Sequence, residues 1–323
     1  MRVLVTGGTG YIGAHVVRLL QQRGDRVVVA DDVVTGDASR IGDAPLVRLN
    51  LATDGAPTAL EQTLREHEID SVIHLAARKQ VGESVERAAW YYQQNVGGLA
   101  NLLLAMEASD VGRLVFSSSA AVYGPSDGPI TEDGETRPVN PYGETKLVGE
   151  MLTRAATVAL GLQSASLRYF NVAGAGWPEL GDPAALNLVP MVFERLDAGE
   201  APVIFGDDYN TPDGTCVRDY VHVMDVAEAH LAVLDWLATT EPGHHLFNIG
   251  TGRGVSVRQM VNAVITETGL SSTPVVESRR PGDPDSVVAS VARIRETLGW
   301  SSTRDLDDMV RSAWEAHRFS ALH

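Results

Sequence analysis

Cysteine, lysine and long apolar runs are scarce in this chain of 323 residues. Its single cysteine, Cys216, excludes an internal disulfide framework and a cysteine metal cluster, which is consistent with the cytoplasm. No run of about 18 apolar residues occurs, so no transmembrane helix is expected. The first residues have the pattern of a strand and not that of a signal peptide.

Positive charge is also scarce, because 26 basic residues stand against 42 acidic ones and give a net charge of −16. Nucleic acids and anionic membranes bind basic surfaces, so we expect neither as a partner. A few local arginines could still hold a small anionic ligand. Only Lys79 and Lys146 are lysines, which suggests positions where the broad guanidinium of arginine would not serve.

The first half of the chain alternates short β-branched runs with longer helical patterns. Strands are predicted at 2–5, 26–31, 46–51, 71–76, 113–117 and 164–169, and helices at 12–22, 58–68, 88–106 and 142–160. This alternation predicts an α/β fold with an N-terminal, Rossmann-like, doubly wound parallel sheet that helices cover on both faces.

After about Asn171 the pattern loosens, and 174–190 is rich in glycine, proline and acidic residues, as expected of a substrate loop. Further helices are predicted at 188–198, 225–237, 256–267 and 291–298, and strands at 203–205 and 245–249. We expect a first domain at 1–172 and a smaller C-terminal α+β substrate domain at 173–323. Parts near 217–250 are expected to pack back on the first domain.

Three glycines, Gly7, Gly10 and Gly13, follow the first predicted strand and open the first predicted helix. Such a loop lets the backbone approach a pyrophosphate, and the first helical N–H groups then face the phosphates. The same pattern also makes a tight strand–helix turn. In this context, between a strand and a helix, it predicts a dinucleotide site.

Asp31 ends the second predicted strand. A carboxylate there accepts both ribose hydroxyls of an adenosine and repels a 2′-phosphate, which favours NAD over NADP. Its alternative role is that of a helix cap or a turn aspartate, and the neighbouring Asp32 could share the ribose. Asn50 and Leu51, at the end of the next strand, are placed to contact the adenine.

Reactive side chains are expected at the carboxyl end of the strand at 113–117, where open α/β sheets bind ligands. Ser117 and Ser119 lie there, and Tyr142 and Lys146 are four residues apart on one face of a predicted helix. An ammonium beside a phenol lowers the tyrosine pKa from about 10 and makes the phenol a base near neutral pH. Chance also gives this spacing on surface helices, but the scarcity of lysine favours a functional pair.

Seven segments together resemble the extended short-chain dehydrogenase/reductase family and, within it, the UDP-glucose 4-epimerase group. The segments 6–13, 117–124 and 142–146 carry the wider resemblance. The segments 81–84, 167–171, 217–225 and 279–283 narrow it to that group. The resemblance runs almost from end to end.

The resemblance implies an interconversion of UDP-galactose and UDP-glucose at C4 of the sugar. The sugar C4 would give a hydride to tightly bound NAD and take it back on its opposite face after rotation of the 4-keto sugar. Tyr142 would take the proton of the 4-hydroxyl, with Ser119 bridging. Lys146 would also hold the nicotinamide ribose. A homodimer through the helical stretches near 90–106 and 142–160 is implied as well.

Residue by residue, the resemblance implies a cofactor part and a substrate part of the site. The cofactor part comprises Gly7, Gly10, Tyr11, Ile12, Gly13, Asp31, Asp32, Asn50, Leu51, Leu75, Ala76, Ala77, Lys79, Gln94, Ser117, Tyr142, Lys146 and Tyr169. The substrate part comprises Lys79, Ser119, Tyr142, Asn171, Asn187, Leu188, Val203, Phe205, Arg218, Tyr220, Val257, Arg280, Asp283 and Val287. Its asparagines and arginines would bind the diphosphate, Phe205 would lie by the uracil and Asp283 by the ribose.

The chain departs from the family pattern at Asp32 and Gln94, where asparagine is common, and at Asn50, where aspartate is frequent. These changes adjust cofactor contacts without removing a catalytic group. The segment 174–187 is shorter than in some members. Val287 stands where some members have a bulky tyrosine beside the sugar, so we hypothesise that UDP-GlcNAc and UDP-GalNAc are also accepted.

Of three alternative functions, the residues exclude one, leave the second open and argue against the third. A nucleotide-sugar 4,6-dehydratase needs an acid/base pair where Ala120 and Ala121 stand, which excludes it. A 4-epimerase of another UDP-sugar, a uronate or a pentose, stays open. A non-catalytic NAD-binding regulator would typically lack Tyr142 or Lys146, and both are present. No histidine cluster has zinc-ligand spacing, so no metal is expected.

Overall fold

The computed structural model describes residues 1–124, 128–184, 186–280 and 282–322. Its strands are β1 Arg2–Thr6, β2 Arg26–Asp31, β3 Leu46–Arg48, β4 Ser71–His74, β5 Arg113–Ser119, β6 Gln163–Tyr169, β7 Asn171–Ala173, β8 Val203–Phe205, β9 Val217–His222, β10 Gly243–Ile249, β11 Gly254–Ser256, β12 Val275–Glu277 and β13 Ser286–Val287. Its α-helices are α1 Tyr11–Arg23, α2 Ala56–Glu66, α3 Val81–Glu86, α4 Ala88–Tyr91, α5 Gly98–Ala108, α6 Pro141–Leu160, α7 Leu188–Asp197, α8 Val223–Leu237, α9 Val257–Thr268, α10 Ala292–Leu298 and α11 Leu306–Leu322. Ala185, in the loop 174–190, and Pro281, in the motif 279–283, lie outside the described residues.

Seven strands form one sheet in the order β10-β6-β5-β4-β1-β2-β3. The pairs from β3 to β5 are parallel, with Val3 aligned to Val27 on one side and to Ser71 on the other. The strand order turns back at β1, because β2 and β3 extend the sheet on one side and β4 and β5 on the other. Such a switch point opens a crevice outside the carboxyl ends of the strands, where ligands bind. The predicted doubly wound α/β fold is confirmed.

The chain divides into two compact units. Unit 1 comprises Met1–Gly124, Glu135–Arg168 and Ala227–Phe247, and unit 2 comprises Pro125–Gly134, Tyr169–Val226 and Asn248–His323. Ala227–Phe247 belongs to unit 1 because β10 borders β6 in the sheet, where Gly243 N donates to Leu162 O (2.9 Å). The boundary expected after residue 172 stays a prediction about functional domains.

An apolar layer holds unit 1 together between its sheet and two helices. Leu4 of β1, Leu60 of α2 and Leu99 and Leu102 of α5 are completely buried there. Burying one such side chain stabilises a fold by roughly 1.5–3 kcal/mol. The layer therefore fixes the strands whose carboxyl ends carry the predicted reactive residues.

Unit 2 has its own core around Phe193 of α7, Ile204 of β8 and Met260 of α9. Its small sheets are β11-β9-β13, with β7 beside β9, and the pair β12-β8. The register of β9 aligns Arg218 with Val287 and Tyr220 with Asn171. Four predicted substrate residues are thereby brought together on neighbouring strands.

The helix predicted at 88–106 is interrupted. A π-helical turn at Tyr92–Gly97 separates α4 from α5, and the short α3 precedes them. A π turn inserts one extra residue into a helix and is frequent at functional sites. Here the turn contains the buried Asn95 beside the half-buried Gln94.

Seven of the elements given above were not predicted by the sequence analysis: β7, β9, β11, β12, β13, α3 and α11. The strands have two to six residues, which is too short for a clear alternation of apolar and polar side chains. The start of α11 does carry a signal, a reciprocal cap of the capping-box type. Asp305 Oδ1 accepts from Asp308 N (3.0 Å), and Asp308 Oδ2 accepts from Asp305 N (3.2 Å).

Candidate active site

The glycine loop between β1 and α1 leaves open space beside its middle glycine. A Cβ added at Gly7 would lie 2.5 Å from Ala76 N, and one at Gly13 would lie 2.1 Å from Gly7 O. The packing of the chain itself therefore requires these two glycines. A Cβ at Gly10 would meet only Gly7 O, at 3.4 Å, so a ligand can approach this backbone closely. The loop fits the pyrophosphate of a dinucleotide at the start of α1, where Tyr11 and Ile12 follow.

Asp31 ends β2, and two backbone N–H groups direct its carboxylate. Its Oδ2 accepts from Thr9 N (3.0 Å) and its Oδ1 accepts from Val33 N (2.8 Å). Val33 has a φ of 57°, a left-handed conformation that is strained for a β-branched residue. Each carboxylate oxygen keeps acceptor capacity for a further donor, so Asp31 fits a pair of ribose hydroxyls.

Three of the predicted cofactor residues meet around an arginine that the sequence analysis missed. Asp32 forms an ion pair with Arg78. Gln94 Oε1 lies 3.5 Å from Arg78 Nη2 and accepts from Asn50 Nδ2 (3.1 Å). These three residues are the positions at which the chain departs from the family pattern. The sequence signal for Arg78 was its place beside Lys79, directly after a predicted strand.

Asn95 is a second missed residue, and it joins Arg78 to the helix that carries Tyr142 and Lys146. Its Oδ1 accepts from Arg78 N (2.7 Å), and its Nδ2 donates to Arg78 O (3.0 Å) and to Thr145 Oγ1 (3.0 Å). Both backbone groups of Arg78 are therefore held by one buried amide.

The two lysines have opposite environments. The side chain of Lys146 is buried, with 4% exposed, whereas Lys79 is exposed. Within the described part of the chain Lys79 has no hydrogen-bond or ion-pair partner. Leu75, Ala76 and Ala77, which lead from β4 to Lys79, are half-buried. The cofactor role of this segment stays a prediction.

Ser119 and Tyr142 form a hydrogen bond. Ser119 ends β5, and its Oγ accepts from Ala121 N (3.1 Å), which leaves the hydroxyl hydrogen for Tyr142. Tyr142 lies in the first turn of α6, which Asn140 caps by accepting from Gly143 N (2.9 Å). A strand end and a capped helix start thus position this pair.

The pKa of Tyr142 is raised, so the expectation that Lys146 lowers it is corrected. Burial disfavours the phenolate and is the largest cause, while the hydrogen bond of Ser119 lowers the pKa. Lys146 Nζ lies 5.9 Å from the centre of the Tyr142 ring and donates to Ser117 O (2.7 Å). The ammonium is thus directed at a backbone carbonyl and not at the phenol oxygen.

Burial also lowers the pKa of Lys146, to about 8, and the carboxylate of Glu150 one turn later opposes this shift. The nearby His74 ends β4, and its Nδ1 lies 2.7 Å from Thr6 Oγ1. Burial, together with the charge of Lys146, lowers the His74 pKa to about 3, so this imidazole is neutral near pH 7. Lys146 is therefore a buried cation beside a neutral histidine.

A buried ion pair next to Lys146 was also missed by the sequence analysis. Arg168 donates to both oxygens of Glu150, from Nε (2.8 Å) and Nη2 (2.6 Å), and from Nη1 to Tyr123 Oη (2.8 Å). Ser118 Oγ donates to the same carboxylate. The pair joins α6, β5 and β6, and it fixes the backbone on both sides of Ser119. Tyr169, a predicted cofactor residue, follows Arg168 at the end of β6.

In unit 2, Arg218 is held by its own neighbours. Its Nη1 donates to Val217 O (2.8 Å) and Pro284 O (3.0 Å), and its Nη2 donates to Asp283 Oδ1 (3.3 Å). The side chain is 12% exposed. The arginine predicted to bind the diphosphate is thus paired with the aspartate predicted to bind the ribose, and Val287 lies beside it in the register of β9 and β13.

The other predicted diphosphate residues are more open. Arg280 is exposed, and its guanidinium carbon lies 4.0 Å from the centre of the Phe205 ring. Asn187 is exposed, precedes α7 and donates to Asp182, while Asn171 is exposed on β7 beside the buried Tyr220. Half-buried apolar residues begin three neighbouring elements of the unit: Leu188 of α7, Val203 of β8 and Val257 of α9.

Asp219, inside the motif 217–225, is a buried residue whose carboxylate accepts several backbone hydrogen bonds within unit 2. The sequence analysis did not single it out. It accepts from Thr251 N (2.8 Å), Gly252 N (2.9 Å) and Ala289 N (3.1 Å). Burial raises its pKa. The carboxylate ties two chain segments to β9, directly beside Arg218.

The described residues contain no group of three or more His, Cys, Asp or Glu side chains that could hold a metal ion. None of the helices in the described part of the chain is long and apolar enough to cross a membrane.

Comparison with known proteins defines the class first. The profile of the NAD dependent epimerase/dehydratase family matches residues 3–250. The chain therefore belongs to this family.

Particular members of the family are similar over nearly the whole chain. A UDP-glucose 4-epimerase of Azospirillum brasilense is 45% identical over 97% of this chain and 92% of that protein. The UDP-glucose-4-epimerase of Stenotrophomonas maltophila, solved with bound NAD and formylated UDP-arabinopyranose, is 40% identical with a TM-score of 0.93 and covers 100% of this chain and 99% of its own. The enzyme of Brucella ovis in complex with NAD is 40% identical with a TM-score of 0.91 and covers 98% of both chains.

Proposed function

We propose that this chain is an NAD-dependent enzyme that interconverts UDP-galactose and UDP-glucose at C4 of the sugar. The observation that carries the proposal is the Ser119–Tyr142 hydrogen bond at the end of β5, with Lys146 one turn along the same helix. UDP-glucose 4-epimerases with 40–45% identity over nearly the whole chain support the reaction. NAD held in unit 1 would supply a hydride acceptor that is regenerated in each turnover, so there would be no net oxidation.

Tyr142 and Ser119 handle the proton in this proposal. Tyr142 Oη takes the proton of the 4-hydroxyl as the hydride leaves C4, and it gives the proton back when the hydride returns. The Ser119 hydroxyl stabilises the phenolate, but burial still raises the Tyr142 pKa, so the reaction requires stabilisation of the phenolate beyond that hydrogen bond. Lys146 keeps its positive charge at pH 7, because its pKa of about 8 lies above that pH.

Unit 1 would hold NAD through the features described above. Gly10 and the start of α1 would admit the pyrophosphate, Asp31 would accept hydrogen bonds from the adenosine ribose hydroxyls, and Lys146 would donate to the nicotinamide ribose. Lys79 would reach the cofactor pyrophosphate or ribose region, because its ammonium is exposed and has no partner among the residues that the structure describes.

Unit 2 would hold the UDP group. Arg218 and Arg280 offer guanidinium forks, which suit phosphate oxygens, and Asn171 and Asn187 offer amide donors. Phe205, already covered by Arg280, would stack on the uracil. A few arginines are sufficient for this dianion even though the whole chain carries a charge of −16.

Val287 suggests a broader sugar range. It is a half-buried, small side chain aligned with Arg218, where a tyrosine would narrow the site. We therefore extend the proposal to UDP-GlcNAc and UDP-GalNAc. If Val287→Tyr left the ratio of UDP-GlcNAc to UDP-glucose turnover unchanged, this extension would be wrong.

A second candidate function is 4-epimerisation of a UDP-pentose or UDP-uronate. The Stenotrophomonas maltophila enzyme was solved with a UDP-pentose derivative, which favours the pentose. A non-catalytic NAD-binding role is disfavoured because Tyr142, Lys146 and Ser119 are all present.

The proposed assembly is a homodimer, and the proposed location is the cytoplasm. Exposed apolar side chains on the two helical stretches support the dimer: Tyr92, Leu104, Met151 and Val158. Val158 is 83% exposed and Leu104 is 54% exposed, and a second copy that covered them would remove this apolar surface from water. Sedimentation of the purified chain tests the dimer.

The decisive experiment is incubation of the purified chain, without added NAD, with four substrates in parallel: UDP-galactose, UDP-GalNAc, UDP-glucuronate and UDP-xylose. Chromatography of the products is expected to show conversion of UDP-galactose to UDP-glucose. Conversion without added cofactor means that NAD is retained. Exclusive turnover of the uronate or the pentose would replace the proposal by its alternative.

A further inference from the structure

We propose that Arg78 is a specificity-determining residue of the cofactor site, which acts by holding its guanidinium on Asp32 beside the adenosine ribose. The pair would make the site accept NAD and reject a dinucleotide with a 2′-phosphate. This inference rests on the assignment of NAD to unit 1.

Contacts of both its backbone and its guanidinium fix the position of Arg78. Asn95 holds both of its backbone groups, at 2.7 and 3.0 Å. Its guanidinium contacts Asp32 and lies 3.5 Å from Gln94 Oε1 and 5.4 Å from the centre of the Trp90 ring. The side chain is only 13% exposed. Such an arginine cannot swing freely into solvent.

The charges around Asp31 explain why the pair matters. Asp31 and Asp32 are consecutive carboxylates, and backbone N–H groups hold one oxygen of Asp32 and both oxygens of Asp31. Arg78 cancels one of these two negative charges. Asp31, Asp32 and Arg78 together therefore carry a net charge of −1 beside the ribose. We expect this charge to repel a 2′-phosphate but to repel the nearby pyrophosphate less than two unpaired carboxylates would.

The same arginine is a potential phosphate ligand. Guanidinium forks bind phosphate oxygens well, but Arg78 is already occupied by a carboxylate. Asp32 thus has two effects on a 2′-phosphate: it repels the phosphate, and it withholds the arginine that would bind it. Asn50 and Gln94 extend the network and restrict where the guanidinium can point.

The test is a double-mutant cycle on the cofactor-stripped full chain. Dissociation constants for NAD and NADP are measured by calorimetry for the wild type, Asp32→Asn, Arg78→Leu and the double variant. In Asp32→Asn the preference for NAD is expected to fall on the order of 10-fold, because Arg78 is released to bind the 2′-phosphate. In the double variant this gain in NADP binding should disappear.

The outcome that overturns the proposal is a double variant that accepts NADP as well as Asp32→Asn does. The charge of Asp32 alone would then set the preference. An unchanged preference in Asp32→Asn overturns it as well. If the wild type binds no dinucleotide at all, the proposed function itself fails, which is a different result.

Two further variants serve as a charge-preserving replacement and as a control. Arg78→Lys keeps the charge in case Arg78→Leu does not fold, and its preference should stay within about 3-fold of the wild type. Arg87→Leu is the matched control, because Arg87 lies over the same Trp90 ring (3.7 Å) but pairs with Glu83. An equal change in Arg87→Leu would mean that general surface charge controls the preference, and it would overturn the role of Arg78.

Discussion

The two units prepare their predicted functional residues in different ways. In unit 1 the reacting side chains are held by uncharged partners, Ser117 O for Lys146 and Ser119 for Tyr142. In unit 2 the predicted nucleotide-binding residues are paired with carboxylates, as Arg218 is with Asp283 and Asn187 with Asp182.

The difference follows from the tasks we propose for the units. Proton and hydride transfer require fixed distances, so rigid neighbours around Tyr142 are an advantage. Binding a diphosphate requires free donors, and an arginine in a chain of charge −16 keeps a carboxylate partner until an anion replaces it. On this proposal unit 1 is preorganised, whereas the donors of unit 2 would exchange their carboxylate partners for the diphosphate.

The largest expected effect is on catalysis in unit 1. Tyr142→Phe should lower kcat by about 10²–10⁴-fold, because the 4-hydroxyl loses its proton acceptor. NAD content and the unfolding midpoint should stay unchanged, as absorbance and urea unfolding would show. Tyr92→Phe is the matched control, because it removes a tyrosine hydroxyl that donates to Glu144, outside the Ser119–Tyr142 pair, and keeps the apolar ring. Full activity in Tyr142→Phe would contradict the mechanism.

The second prediction compares one buried ion pair from each unit. Glu150→Gln in unit 1 should cost about 3–5 kcal/mol of unfolding free energy, because it leaves Arg168 buried without its carboxylate. Asp225→Asn in unit 2 should cost less, about 1–3 kcal/mol, since its partner Arg304 is 28% exposed. Urea unfolding measures both.

A paired replacement in unit 1 sharpens this comparison. Glu150→Leu combined with Arg168→Met should cost less than Glu150→Gln, because the guanidinium of Arg168 no longer stays buried without its carboxylate. If Asp225→Asn proved the more costly of the two single changes, unit 1 would not be the more rigidly organised unit.

The third prediction compares the two arginines of unit 2 that we propose as diphosphate ligands, Arg218 and Arg280. Arg218→Leu should weaken UDP binding by about 1.5–3 kcal/mol, because its position is fixed by two carbonyls and Asp283. Arg280→Leu should weaken it by about 1 kcal/mol or less, because this arginine is exposed. Calorimetry with UDP gives both values.

Arg279→Leu is the control for this pair, since Arg279 is paired with Asp208 and has no assigned role in the site. UDP affinity should not change in it. A larger loss in Arg280→Leu than in Arg218→Leu would reverse the ranking that we draw from burial.

The smallest effect is on stability and comes from Lys146. Its pKa is about 8 in the fold and 10.5 as the ordinary value, so the unfolded chain binds more protons between these pH values. Because of Lys146, the free energy of unfolding of the wild type should increase as pH rises from about 8 to 10.5. Below pH 8 the fold bears the full cost of burying the ammonium. Lys146→Met should therefore be more stable than the wild type at pH 7, by about 1–2 kcal/mol after loss of the Ser117 hydrogen bond.

Urea unfolding of the cofactor-stripped protein at pH 7 and pH 10 checks this prediction. The advantage of Lys146→Met should shrink at pH 10. An equal advantage at both values would mean that the buried charge is not its source.

Much of the fold could be predicted from the sequence, because its signals are local. The alternation that defines β1 to β6 was found within a few residues at most ends, and β2 and β8 were predicted at their observed bounds. The π turn at Tyr92–Gly97 and the short strands β7, β9, β11, β12 and β13 were not found, since their form depends on what packs against them.

The functional site likewise has features that are set by local sequence and features that are set by tertiary packing. Glycine spacing, the acid at the end of β2 and the four-residue separation of Tyr142 and Lys146 are set by local geometry, so the sequence by itself determined them. Only the tertiary structure decided which way the Tyr142 pKa moves, because burial outweighs the polar contacts. It also decided that Arg78 meets Asp32 from 46 residues away and that Arg168 meets Glu150. Electrostatic pairing depends on distance and burial in space, and neither can be read from positions along the chain.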